Sequence, residues 1–120
     1  MSTRSKYGAI RTTVDGIVFA SKAEARRYAE LKLLEKAGRI RDLELQPSFP
    51  LEVVSPRNGE VIQVGTYRAD FRYREIEMHE GGFGRWRIVI EDVKGMPTPV
   101  YRLKKKLMEA RYGIAITEIR

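Results

Sequence analysis

The segment RWRIVIEDVKG, residues 85–95, limits the fold more than any other part of the chain. Its density of Trp, Ile and Val marks an interior strand, yet it closes on Glu91, Asp92 and Lys94. Side chains alternate along a strand, so Ile88, Ile90, Asp92 and Lys94 share one face while Val89, Glu91 and Val93 share the other. An acid and a lysine therefore project together past a Trp/Ile-lined region, and the fold must offset the cost of burying them. An isolated D-x-K at a strand end is commonly no more than a salt bridge. What this one means depends on what lies beside it.

The preceding β-prone stretch, TYRADFRYRE (residues 66–75), sets Asp70 among Ala69, Phe71 and Tyr73. A carboxylate in mid-strand needs a partner, because an unpaired buried charge costs several kcal/mol or shifts its pKa. If the two strands pair as a hairpin through HEGGFG (79–84), Asp70 and Asp92 stand side by side. Adjacent carboxylates repel unless a cation lies between them, and hard oxygen ligands select Mg²⁺, with Mn²⁺ able to substitute. Glu24 is a third acid. It lies at i−4 and i−7 from Tyr28 and Leu31, on what is then the packed face of a helix. It also fits a capping box with Ser21, and the two roles are compatible at a helix N-terminus.

Around these residues the pattern is α/β, a mixed β-sheet flanked by helices. TTVDGIVF carries an Asp-Gly hairpin turn. Ser21 is placed to cap a first helix that Gly38 ends. DLELQPSFPLEVV reads as an edge or bent strand because of Pro47 and Pro50, and VIQVGTYRADFRYRE as β structure with Gly65 a possible bulge. A second helix is predicted with Thr98 as N-cap, Pro99 at its first position and Gly113 as its stop. Its apolar positions Val100, Leu103, Leu107 and Ala110 recur at helical spacing. IAITEI closes the chain as a last strand.

At 120 residues one domain is expected, spanning 1–120, with residues 1–8 a flexible basic arm. There is no cysteine, which excludes disulfides, thiolate zinc sites and cysteine nucleophiles and suits a reducing compartment such as the cytoplasm. The single histidine, His79, excludes a His-based zinc centre. No apolar run nears the roughly 20 residues of a membrane span, so no membrane partner is expected. The net charge of +7 is spread over both halves, with 11 basic against 8 acidic residues in 1–60 and 12 against 8 in 61–120. A fold-wide excess of this kind favours a polyanionic partner.

Taken in order, Glu24 in an N-terminal helix, Asp70 on a strand, Asp92-Val93-Lys94 on the next strand and a following basic helix resemble the PD-(D/E)xK nuclease superfamily. The S-x-x-E helix start and the small basic domain are most similar to archaeal and phage Holliday junction resolvases. The stretches FASKAEARRYAELKLLEKAG, LELQPSFPL, ADFRY and EDVKG…TPVYRLKKKLMEARYGI also resemble a family of small phage proteins, for which the cytoplasm would be that of a host cell. One departure is Ala69, where the superfamily commonly has proline before the second acid.

The resemblance implies a restriction-endonuclease-like α-β-β-β-α-β core. It implies that Asp70, Asp92 and the Val93 carbonyl hold Mg²⁺, that Glu24 completes that site or a second one, and that Lys94 orients the attacking water. No organic cofactor is implied. The expected activity is hydrolysis of phosphodiester bonds in branched double-stranded DNA at four-way junctions, leaving 5′-phosphate and 3′-hydroxyl ends. Two strands cut in concert imply a homodimer. Lys22, Arg26, Arg27, Tyr101, Arg102, Lys104 and Lys105 are the expected DNA contacts, with Gln46 a further candidate. The alternatives are a nuclease of the same superfamily acting on other DNA, by nicking, flap-trimming or restriction-type cleavage, or a non-catalytic basic module whose acids form structural salt bridges.

Overall fold

A computed structural model describes residues 10–82, 84–94 and 97–120; the expected basic arm, residues 1–8, lies outside them. The chain begins with a small hairpin, β1 (Thr12–Val14) and β2 (Ile17–Phe19). Asp15 and Gly16 both take positive φ, 53° and 75°, as a two-residue turn between twisted strands requires. Helix α1 (Lys22–Lys36) follows, its N-cap Ser21 accepting the Glu24 N–H at 3.1 Å. β3 (Ile40–Leu45) leads to a long hairpin of β4 (Ser48–Val54) and β5 (Val61–Arg68). Then come β6 (Phe71–Met78), β7 (Gly84–Val93), α2 (Pro99–Tyr112) and β8 (Ile116–Ile119).

The central sheet is mixed, in the order β3-β6-β7-β8, with β8 parallel to β7 and the other pairs antiparallel. The helices cover opposite faces, as strand alternation dictates. Ala25, Tyr28 and Leu31 of α1 pack with Ile40, Phe71, Tyr73 and Val89. Tyr101 and Met108 of α2 pack with Ile90 and Ile116, and with Phe49, Leu51 and Tyr67 from the base of the β4–β5 hairpin. Leu31, Phe71, Ile90 and Met108 are fully buried, each worth about 1.5–3 kcal/mol in transfer from water.

Three expectations change in detail. The stretch before Gln46 and the one after it are separate strands in separate sheets, because Gln46 takes a left-handed φ of 49° immediately before Pro47. Asp70 is not in mid-strand. It stands in the break between β5 and β6, where its N–H bonds the Glu91 carbonyl at 3.1 Å. The buried face of α2 is also only in part the expected one: Leu107 packs against the core as its spacing predicts, and the other three positions do not. Val100 and Leu103 are 62% and 59% exposed, and Ala110 is exposed. Tyr101, Lys104, Lys105 and Met108 face inward instead, at i, i+3, i+4 and i+7. The Tyr101 ring and Met108 thioether fill the space over Ile90, and the half-buried Lys105 pairs with Glu118 at 3.4 Å.

Candidate active site

The site forms where β7 ends, at the start of β6 and the first turn of α1. The register pairs Phe71 with Glu91, so Asp70 is carried beside Asp92. Asp70 is tied down by one carboxylate oxygen, Oδ2, which accepts the Val93 N–H at 2.7 Å. Desolvation raises both the Asp70 and the Asp92 carboxyl above the ordinary carboxylate range, Asp92 to about 6, and the charge on Asp70 adds to the rise at Asp92.

Asp92 is 1% exposed. Its Oδ2 accepts the Tyr67 hydroxyl. Its Oδ1 is buried with no hydrogen-bond partner, and the nearest cation is the Lys94 ammonium at 3.7 Å. Lys94 lies on the same face as Asp92, as strand alternation predicts, and its Nζ sits 4.3 Å from the centroid of the Tyr101 ring. Tyr101 in turn donates its hydroxyl to Glu118 Oε2 at 2.9 Å, which fixes the ring from the β8 side.

Glu24 is buried on the inner face of α1, as its spacing to Tyr28 and Leu31 predicts. Desolvation, with Asp70 adding repulsion, raises its pKa to about 7. Glu24, Asp70 and Gln46 line one cavity of about 160 Å³, walled by Ile17, Phe19 and Leu45. The left-handed Gln46 holds this wall in place, since its N–H bonds the Asp70 carbonyl at 2.9 Å. A non-glycine residue in that region is strained, and such strain clusters at functional sites.

Glu91 is separated from this group. It faces α1, where Arg27 grips it through Nε at 2.9 Å and Nη2 at 2.7 Å and the Tyr73 hydroxyl also donates. Arg27, expected to meet DNA, is therefore turned inward to Glu91, and its Nη1 reaches Glu30 at 2.9 Å. Lys105 pairs with Glu118 at 3.4 Å. Lys104 is half-buried, while Lys22, Arg26 and Arg102 are exposed with no acid at ion-pair distance among the described residues. Tyr101 is buried, and serves Lys94 rather than the surface.

Sequence reading missed Tyr67 as the partner of Asp92, and the Arg27–Glu91–Tyr73 cluster. Tyr67 lies on β5, beyond the interruption between strands at Ala69–Asp70, so strand alternation from Asp70 does not reach it. The Arg27 cluster had one signal, an inward-facing Glu91 that required a cation from the helix covering it.

The oxygen donors suit a hard divalent cation in kind. An orphaned, buried Oδ1 beside a second carboxylate is the observation that fits such an ion, because its lone pairs are otherwise unmet. Among the described residues, no three His, Cys, Asp or Glu side chains converge closely enough to hold a metal. Glu24 instead faces Asp70 across the cavity.

A family model described as "Protein of unknown function (DUF1064)" matches residues 4–118, nearly the whole chain. The chain belongs to the DUF1064 family. Comparison with curated proteins and with solved structures gives no match. For this DUF1064 protein, the site's own chemistry carries the functional reading. Among its described residues, no helix is long and apolar enough to cross a membrane.

Proposed function

We propose that this DUF1064 protein is a magnesium-dependent DNA endonuclease of the PD-(D/E)xK type, with branched DNA, the four-way junction first, as its substrate. The single observation that carries the reading is the buried Asp92 Oδ1, which has no hydrogen-bond partner and stands 3.7 Å from the Lys94 ammonium, on a residue that the sheet register sets beside Asp70. Lys94 forms an ion pair with that oxygen at 3.7 Å, too long for a hydrogen bond, so its lone pairs stay unmet. The element order also supports it: α1, β3, β6, β7, α2 and β8 follow the order of a restriction-endonuclease-like core, with the β4–β5 hairpin inserted.

Asp70, Asp92 and the Val93 carbonyl would hold the cation, with Glu24 across the cavity. When bound, such an ion polarises a phosphate and makes water more acidic. The chain's own groups supply the rest. Tyr67 holds the Asp92 carboxylate in one rotamer and leaves Oδ1 as its available oxygen. The Tyr101 ring and Asp92 hold the Lys94 ammonium, which is placed to offset charge developing on a phosphate. Glu24, near pH 7 at its midpoint, can take up or release a proton at neutral pH. Lys22, Arg26 and Arg102 offer sequence-independent phosphate contacts. The ends left would be 5′-phosphate and 3′-hydroxyl.

The test compares a synthetic four-way junction, a flap and plain duplex with Mg²⁺ or Mn²⁺, using wild type and Asp92→Asn. The variant is expected to bind the junction in Ca²⁺ or EDTA and not to cut it. Undiminished cleavage by the variant removes Asp92 from the chemistry. A wild type that binds but never cuts would be a basic binding module, and preference for flap or duplex would change the substrate while keeping the chemistry.

A further inference from the structure

Glu91 meets three parts of the candidate site at once. Its carbonyl accepts the Asp70 N–H at 3.1 Å, its peptide bond joins it to Asp92, and its side chain crosses to α1. There Arg27 takes it with two prongs, Nε to Oε1 at 2.9 Å and Nη2 to Oε2 at 2.7 Å, while the Tyr73 hydroxyl donates to Oε2 from β6. The Glu91 side chain is fully buried and both of its oxygens are engaged. Arg27 stands one helical turn after Glu24. The fork therefore ties the helix that carries Glu24 to the strand that carries Asp92, and to the backbone of Asp70.

Among the described residues, Arg27–Glu91 is the one polar side-chain contact between α1 and the central sheet. The other side-chain hydrogen bonds of α1 run to Asp15 in the first hairpin turn or along the helix itself. The rest of that interface is Ala25, Tyr28 and Leu31 against Ile40, Phe71, Tyr73 and Val89. Apolar burial is non-directional, and helices packed in that way slide by about 1–2 Å. A planar guanidinium on a carboxylate fixes both distance and angle.

Stability alone does not account for the pair. A buried ion pair replaced by apolar groups of similar volume often leaves a protein as stable, or more so. What such a replacement loses is the setting of the helix on the strand. That setting matters here because Glu24 faces Asp70 across a cavity of about 160 Å³, and groups that share a ligand must be held within about 0.5 Å.

From this we infer that Arg27 and Glu91 are positioning residues, a fork that sets where Glu24 stands relative to Asp70 and Asp92 for cation binding. The setting of the helix rests on this geometry alone. Its use in cation binding rests on the endonuclease reading.

The test compares wild type, Arg27→Lys, the double variant Arg27→Met with Glu91→Gln, and Glu30→Ala as a control at the exposed partner of Arg27. Lysine keeps a charge for Glu91 but makes a single-point contact, and the double variant keeps an acceptor for Tyr73 without a buried charge. Calorimetric titration should show Mn²⁺ bound about tenfold more weakly, or worse, by both fork variants. Mg²⁺-dependent cleavage of a four-way junction should fall as far, even where the urea midpoint of the double variant nears that of wild type. Glu30→Ala should match wild type in both. Placement is read separately, without metal. The chain has no cysteine, so Leu33→Cys on α1 and Ile88→Cys on the sheet, both exposed, accept a pair of nitroxides. Their distance distribution by pulsed EPR should shift or broaden in the two fork variants. An unchanged distribution overturns the inference, as does Mn²⁺ affinity that recovers in step with stability or that Arg27→Lys leaves at the wild-type value. A wild type that binds no Mn²⁺ and cuts no DNA, with the distribution still altered in the fork variants, would defeat the endonuclease reading and leave the fork as what sets the helix.

Discussion

Replacing Asp92 by asparagine should make the metal-free protein more stable while ending its activity. Asp92 is buried, its Oδ1 lacks a partner, and Asp70 repels it when both are charged. Its pKa is raised from 3.8 to about 6 in the folded chain, a shift of about two pH units, or ~3 kcal/mol at 1.36 kcal/mol per unit. The sign follows from which state holds the proton more tightly. The folded state does, so no penalty is felt below pH ~4, and the full loss is reached as pH rises past about 6. Asparagine is neutral and nearly isosteric. Its carbonyl can accept the Tyr67 hydroxyl in place of Oδ2, and it carries no charge for Asp70 to repel.

The expected result in EDTA at pH 8 is a gain of ~2–3 kcal/mol, about 10 °C in Tm for a chain of this length, shrinking to within ~0.5 kcal/mol at pH 4. Urea unfolding followed by the fluorescence of the single tryptophan, Trp86, measures it. Protein concentration must be held constant, because any association adds to apparent stability. Added Mg²⁺ should raise the Tm of the wild type and leave the variant unchanged. A variant that is equally or less stable at pH 8, or a difference that does not vary with pH, would refute the idea that charge is held at a cost in this site.

Three further outcomes follow from the same geometry. Arg27→Met leaves the fully buried Glu91 with only Tyr73, at a cost of ~3–5 kcal/mol; adding Glu91→Gln, which keeps an acceptor for Tyr73, should recover more than half of it in a urea double-mutant cycle. Tyr101→Leu removes the ring face beneath Lys94, so the cleavage rate at saturating DNA should fall about tenfold, as ~1–2 kcal/mol of cation–π stabilisation implies, with little change in KM, whereas Tyr101→Phe should retain most of the rate. Glu24 and Asp92, raised to about 7 and about 6, must lose protons when a cation binds; titration calorimetry near pH 6 in buffers of different ionisation enthalpy should register release of about one proton or more per chain, diminishing toward pH 8.5, and heats independent of the buffer would remove both acids from the ligand set.

The parts of this site that were legible in the sequence are those set by short-range periodicity. The 3.6-residue repeat placed Glu24 inward with Tyr28 and Leu31, and two-residue alternation put Asp92 with Lys94 and apart from Glu91. Ser21, Thr98 and Gly113 marked helix ends because capping is local chemistry. What was hidden depends on partners distant in the chain. Tyr67 finds Asp92 across 25 residues and Arg27 finds Glu91 across 64, and neither spacing has a local signature. The displaced stripe of α2 shows the same limit in another form. Hydropathy alone ranks Val100 and Leu103 above Lys104 and Lys105. Yet the groove over β7 requires the long Tyr101 and Met108, and the lysines at i+3 and i+4 are carried inward with them. That demand leaves Val100 and Leu103 exposed on the opposite side of the helix, a choice that hydropathy along the sequence does not encode.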